Sequence, residues 1–167
     1  PWTWPLMTRP TFMYWNTVSE GQDGCTMMGS CTQSITSVSN PLIWWAGIAA
    51  ALYLLYRFVV TRDWRIAFVL TGLAVTYLPW LQYGERTVFQ FYTVVMIPFV
   101  VLALTLVAQQ VLGPRDGPAD RRAGGTAVVV VFLIAATLIS AFFYPVWTAT
   151  EVPYPFWILH NWLPSWV

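Results

Sequence analysis

The sequence predicts an all-α integral membrane protein: four transmembrane helices, an extended outer N-terminal segment and a short interfacial helix at the C-terminus. Three observations carry this. First, 57% of the 167 residues are hydrophobic and only 9% are charged, against about 25% charge in ordinary soluble domains. A soluble globule could not cover its surface with so few charges. Second, the chain holds four apolar runs, Pro41–Val60, Trp64–Tyr83, Val88–Leu112 and Thr126–Trp147. Each reaches the roughly 20 helical residues that cross a hydrocarbon core. Third, no run alternates with period two, which argues against a barrel. Helix is then the expected state, because lipid offers no partner for unpaired backbone groups. The net charge of +1 excludes a nucleic-acid binder working through a basic face, and a charged disordered tail.

Each element has local chemistry behind it. Residues 1–40 form an extracytoplasmic segment, polar and rich in Ser, Thr and Gly between Thr17 and Ser39. It holds both cysteines, Cys25 and Cys31. An outer compartment permits disulfides, and a bridge here would close a short loop, worth about 2–3 kcal/mol in the chain-entropy model. A metal site would need more ligands, and His160 is far away in sequence. Residues 41–147 form the four-helix transmembrane domain. Asn40 can cap the first helix, with Pro41 at its first position. Asp63 can cap the second, and Gly113-Pro114 ends the third. Pro79 and Pro98 fall inside the second and third runs, where each removes a backbone hydrogen bond and kinks its helix. Such a kink is a packing bend or a helix opened around a lipid groove. Gly113 to Gly125 reads as a flexible connector. Residues 148–167 form an extracytoplasmic interfacial tail, with Pro155–Leu163 as a short helix placing Phe156, Leu159 and Leu163 on one face. The start at Pro1 fits no signal peptide, and the chain reads as a piece of a longer protein.

Arginine placement gives the sidedness. Arg57, Arg62, Arg65, Arg115, Arg121 and Arg122 sit in the two loops of one side, and only Arg9 and Arg86 on the other. The positive-inside rule then places both termini outside the cell membrane. The tryptophans gather on that outer side, where the ring suits the membrane interface. Anchoring is the commoner use of such rings, and stacking on sugars the alternative.

No acid, lysine or histidine lies at mid-membrane, which counts against a pump or ion-coupled transporter. Nucleophile constellations, Walker motifs and dinucleotide fingerprints are missing. His160, between Trp157 and Trp162, is most simply an interfacial polar residue. Three outer polar groups stand out: Arg9, and Glu85 with Arg86 on the turn between spans two and three. An outer arginine can hold a lipid phosphate by charge-assisted hydrogen bonds. Arg86 could equally bind ordinary headgroups or pair with Glu85.

Several motifs resemble a known family. They are Trp4-Pro5-Leu6-Met7 with Arg9-Pro10, Asn40-Pro41 with Trp44-Trp45, Glu85-Arg86-Thr87 with Phe89, Phe91 and Tyr92, Tyr144-Pro145, and Pro164-Ser165-Trp166. In order and spacing they resemble the C-terminal membrane part of actinobacterial protein O-mannosyltransferases, glycosyltransferases of the polyprenyl-phosphate-sugar type. The resemblance covers essentially the whole chain. It implies transfer of mannose from polyprenyl-phosphate-mannose to Ser or Thr of exported proteins, on the outer membrane face and with inversion. It also implies a catalytic acid in an N-terminal part that this chain lacks. The chain would be the C-terminal module, ending naturally at Val167 and inactive alone, with membrane lipids, the N-terminal catalytic part and the acceptor proteins as partners. Arg86, Phe89 and Tyr92 match family positions near the site. Glu85 would orient Arg86, and Arg9 would bind phosphate or fasten the outer segment. No metal or further cofactor is expected. The competing expectation is a non-catalytic membrane scaffold that binds a partner protein.

Overall fold

The computed structural model describes residues 1–27 and 29–166. Met28, in the expected outer segment, and Val167, the end of the expected tail, lie outside the described residues. Four long helices carry the fold: α1 (Pro41–Thr61), α2 (Trp64–Leu81), α3 (Ile97–Leu112) and α4 (Ala119–Thr148). With the residues before α3 included, all four are long and apolar enough to cross a membrane.

Helix starts follow their caps. Asn40 Oδ1 accepts from Ile43 N at 3.1 Å, and Pro41 occupies the first turn. The Asn40 amide also donates to Ala136 O and Ser140 Oγ, each at 2.8 Å, tying the start of α1 to α4. Asp63 Oδ1 accepts from Arg65 N at 2.9 Å and opens α2.

Helix α3 lies at the centre and contacts α1, α2 and α4. A glycine allows close approach at each crossing. A Cβ on Gly47 would collide with Val100, one on Gly72 with the Phe99 ring, and one on Gly125 with Val111 O. Lipid offers helices little hydrophobic reason to associate, so such backbone-close contacts carry much of the packing.

Several expectations are corrected. The protein is not all-α. Strands β1 (Thr11–Ser19), β2 (Ser30–Ser37) and β3 (Val152–Pro153) form one antiparallel sheet in the order β1-β2-β3. Residues 11–37 therefore form a hairpin, with Gly21 and Gly24 at positive φ in its loop. Its inward residues on β2 include Thr32, Ser34 and Thr36, all buried, so the period-two signal is carried by hydroxyl side chains and is invisible to hydropathy. The third span does not run as one helix. Gln90–Met96 is a 3₁₀ segment, and Pro98 sits in the first turn of α3, where its missing N–H costs nothing. Pro79 and Pro145 lie inside α2 and α4. The connector Gly113–Gly125 is mostly helix, because α4 begins at Ala119 with Asp120 in its first turn, a favourable place for a carboxylate. The tail helix is only α5 (Tyr154–Ile158). It buries Trp157 and then His160, while Phe156 and Leu159 stay exposed.

The tryptophans are corrected too. Trp4, Trp44, Trp157 and Trp166 are buried rather than spread on a surface. Trp44 Nε1 donates to Trp4 O and Pro5 O at 3.2 and 3.1 Å, and Trp45 Nε1 to Leu6 O at 3.1 Å. Trp147 Nε1 donates to Val38 O at 2.8 Å, Trp157 Nε1 to Ser34 Oγ at 3.1 Å, and Trp166 Nε1 to Met7 O at 2.6 Å. These bonds fasten the N-terminal segment, the sheet and the tail to one end of the bundle. Trp2 and Trp64 remain more than 70% exposed. His160 is buried as well. Its Nε2 lies 2.7 Å from Phe142 O, its Nδ1 3.0 Å from Phe156 O, and its ring stacks on Phe142. Each nitrogen faces a backbone carbonyl, and the single N–H of a neutral ring donates to one of them; through these contacts His160 clasps the tail to α4.

Two outcomes test this packing. Gly47→Ala should lower stability in detergent by about 1–3 kcal/mol through overpacking, and adding Val100→Ala should restore most of it, measured by thermal unfolding. Replacing both Cys25 and Cys31 by Ser should destabilise the hairpin by about 2 kcal/mol, seen as faster proteolysis within residues 20–30 while the helical core stays protected.

Candidate functional site

The end of the bundle that carries the sheet and tail also carries the sequence-predicted polar groups. Helix α2 ends at Leu81, and the chain turns through residues 82–86 before the 3₁₀ segment. The turn is held by Gln82 N→Pro79 O and Tyr83 N→Trp80 O, both at 3.2 Å, and by Arg86 N→Tyr83 O at 3.0 Å. Pro79 has no N–H for the carbonyl four residues before it, so it removes one helical hydrogen bond just before the helix stops.

The turn and the 3₁₀ segment enclose a cleft of about 630 Å³, lined by Trp80, Tyr83, Arg86, Thr87, Val88 and Tyr92. One wall is aromatic: Trp80 and Tyr92 stack with centroids 4.7 Å apart and planes 17° apart. Behind it stands Trp4, with ring centroids 5.7 Å from Trp80 and 6.4 Å from Tyr92. Trp4 is held in turn by bonds from Trp44 Nε1 and Gln90 Nε2 to its carbonyl. The rings are rigid because buried backbone and indole groups hold them from behind.

Arg86 supplies the positive charge. It is exposed, and among the described residues no carboxylate lies within 4.0 Å of its guanidinium. Pairing with Glu85 is therefore not what occupies it. A planar guanidinium beside a hydroxyl (Thr87) and a phenol (Tyr83 or Tyr92) is suited to a phosphate oxygen cluster.

The structure brings together two of the four predicted binding residues, Arg86 and Tyr92. Glu85 neighbours Arg86 in sequence and is exposed, but it does not line the cleft. Arg9 is exposed and also lies outside the lining. It adjoins Met7 and Thr8, whose carbonyls accept from Trp166 and Ser165, so its surroundings are those of the tail clasp. Phe89 stacks on Phe91 at 5.5 Å and is likewise outside the lining. Sequence reasoning missed Trp80, Tyr83 and Thr87 as wall residues. The signal was their position on both flanks of Glu85-Arg86, at a helix end where aromatics concentrate. Cys25 and Cys31 are joined as a disulfide with Cα atoms 5.7 Å apart, at the hairpin end of the sheet. Among the described residues no three His, Cys, Asp or Glu side chains group to hold a metal ion.

Fold and site together define a multi-pass helical membrane protein with a cationic, aromatic-walled cleft at one end. Comparison with known proteins narrows the class. The chain is 34% identical over 99% of its length to the polyprenol-phosphate-mannose–protein mannosyltransferases of Mycobacterium tuberculosis and Mycolicibacterium smegmatis. It is 25% identical over the same share to that of Corynebacterium glutamicum. The resemblance read from the motifs is borne out: these residues are homologous to part of that mannosyltransferase. The chain spans about a third of the length of these curated relatives, 31–32%. No protein-family model matches it. Among solved structures, the fold resembles the S. cerevisiae protein O-mannosyltransferase Pmt1-Pmt2 complex bound to the sugar donor, with a TM-score of 0.67 and 22% identity, over 81% of this chain and 20% of that one.

The aromatic wall can be tested directly. Tyr92→Ala should open the stack and Tyr92→Phe should preserve it. Near-ultraviolet circular dichroism should lose an aromatic band in the first variant and keep it in the second, with a stacking loss of about 0.5–1.5 kcal/mol.

Proposed function

We propose that this chain is the C-terminal membrane module of a glycosyltransferase. The whole enzyme moves mannose from polyprenyl-phosphate-mannose to Ser or Thr hydroxyls of exported proteins at the cell membrane. The observation that carries this is Arg86: a guanidinium with no carboxylate partner among the described residues, set beside the Trp80–Tyr92 wall at the aromatic end of the bundle.

The chemistry explains why such a group is needed. The acceptor oxygen attacks the anomeric carbon, and the bond from that carbon to the phosphate oxygen breaks. The electron pair leaves with the lipid phosphate, so negative charge grows there. A cation placed in advance stabilises that growing charge. The hydroxyl proton must pass to a base, and this chain contributes none to the cleft; the base belongs to the rest of the protein. The aromatic wall suits the apolar face of a sugar or the first isoprene of the donor. Glu85 would orient the turn, and Arg9 would hold the outer segment against the tail.

Arginine distribution supports the orientation. Arg57, Arg62, Arg65, Arg115, Arg121 and Arg122 all fall at the opposite end of the helices. On the positive-inside rule that end is cytoplasmic, and both termini and the cleft face outward.

The test is mannose transfer by the full-length protein in membranes, with polyprenyl-phosphate-mannose and a Ser/Thr-rich acceptor peptide. Arg86→Ala should reduce kcat/KM for the donor by about 10- to 100-fold, the effect of losing a charge-assisted hydrogen bond. The loss should be largest at limiting donor, and Arg86→Lys should recover part of it. Unchanged transfer by Arg86→Ala would sink the phosphate role. If a truncation lacking residues 1–167 kept full transfer, the scaffold reading would replace this one.

A further inference from the structure

We propose that the arginine-rich end of the bundle holds an anionic glycerophospholipid: its phosphate between Arg57 and Arg65, one acyl chain in the groove between α2 and α3. This site lies at the end opposite the Arg86 cleft and does not depend on the function proposed above.

Two adjoining features compose it. The first is a cleft of about 180 Å³ lined by Arg57, Thr61, Asp63, Arg65, Gln109 and Gln110, with Ile66 and Leu106 at its floor. Two guanidinium groups face one carboxylate there, so the cleft is positive. Asp63 is engaged, since its Oδ1 accepts from Arg65 N at 2.9 Å. The Thr61 hydroxyl donates to Arg57 O, and Gln110 Oε1 accepts from Tyr53. Among the described residues no carboxylate forms an ion pair with either arginine. Arg57 Nε is shielded from solvent and has no hydrogen-bond partner. A shielded guanidinium N–H without an acceptor is costly, so turning the Arg57 side chain outward onto a phosphate oxygen in the cleft would relieve that cost.

The second feature is a groove of about 320 Å³ between α2 and α3, lined by Trp64, Arg65, Phe68, Val69, Leu102, Thr105 and Leu106. Arg65 and Leu106 belong to both linings, so cleft and groove adjoin along these two side chains. Phe68 and Leu102 are exposed along the groove, and the Thr105 hydroxyl is already donated to Val101 O. The only charge on its lining is therefore Arg65, at the mouth. A positive polar cleft opening into an apolar groove complements a molecule with an anionic head and a hydrocarbon chain. Basic pockets between helices at a membrane surface bind acidic lipid headgroups for this reason. Snorkelling alone would carry both arginines out to bulk headgroups, and it does not account for the shielded Arg57 Nε.

The experiment uses the full-length protein, purified in detergent, with bound lipids counted by native mass spectrometry. The probes are phosphatidylglycerol, phosphatidylcholine of the same chain length, and inorganic phosphate. The expected result is one tightly retained phosphatidylglycerol per chain, held about tenfold more strongly than phosphatidylcholine. Arg57→Gln with Arg65→Gln should abolish that preference, and Arg57→Lys with Arg65→Lys should keep most of it. Leu102→Trp, which fills the groove and leaves both arginines in place, should weaken both lipids. Equal retention of the two lipids, an undiminished preference in the double Gln variant, or full displacement by millimolar phosphate would each overturn the proposal. Thermal unfolding of each variant separates loss of lipid from loss of fold.

Discussion

The structure depends on how buried tryptophans satisfy their N–H groups. An indole is large enough to fill a gap between elements, and its single donor must find an acceptor once buried. Here five tryptophans, of which Trp44, Trp157 and Trp166 are buried, donate to backbone carbonyls or a serine hydroxyl on a distant segment. Each bond contributes only about 0.5–1.5 kcal/mol net, yet breaking one leaves a buried donor that costs about 1–3 kcal/mol. That asymmetry fixes the arrangement. The N-terminal segment runs against α1 through Trp44 and Trp45, the tail closes over Met7 through Trp166, and the sheet is pinned by Trp147 and Trp157. These bonds join the N-terminal segment, the sheet and the tail to the helix ends, alongside the His160 and Ser165 contacts of the tail.

The cleft inherits its rigidity from the same network. Trp4 is the link: its carbonyl accepts from Trp44 and Gln90, and its ring backs Trp80 and Tyr92. A cation meant to meet a leaving group must be placed before charge develops, because reorganisation during the reaction would cost what the interaction supplies. Arg86 sits on a turn, but that turn is bracketed by α2 on one side and, on the other, a 3₁₀ segment that buries Gln90, Thr93 and Met96. Glycines let α3 lie close to three neighbours, which leaves the helix ends near enough to share one surface.

The two ends of the helices carry opposite chemistry. One end gathers aromatics, hydroxyls and the lone Arg86 cleft. The other gathers six arginines and the polar cleft at Arg57 and Arg65. Both suit phosphates, but in different ways. The first is broad and aromatic-walled, open to a sugar as well as a phosphate. The second is small and adjoins an apolar groove between α2 and α3.

The sequence by itself determined the membrane class, the four spans to within a few residues, and the caps at Asn40 and Asp63. Hydropathy and capping are local properties, set by residues within a turn or two. The family resemblance was equally legible, because it rests on the order of short motifs. Arg86 could be singled out, since a lone charge at a span end is a one-dimensional pattern, whereas Tyr92 entered only through the resemblance. The sheet was not legible, because β2 turns Thr32, Ser34 and Thr36 inward and no apolar alternation marks it. The faces of α5 were misjudged for a related reason: Trp157 and His160 are drawn inward by acceptors at Ser34 and Phe142, far away in the chain. Only the tertiary structure could decide which wall faces Arg86, that Glu85 and Arg9 stand outside the cleft, and that Arg57 is left with an unmatched N–H. Each of these depends on which carbonyl or ring a distant segment presents, and spacing along the chain does not encode that.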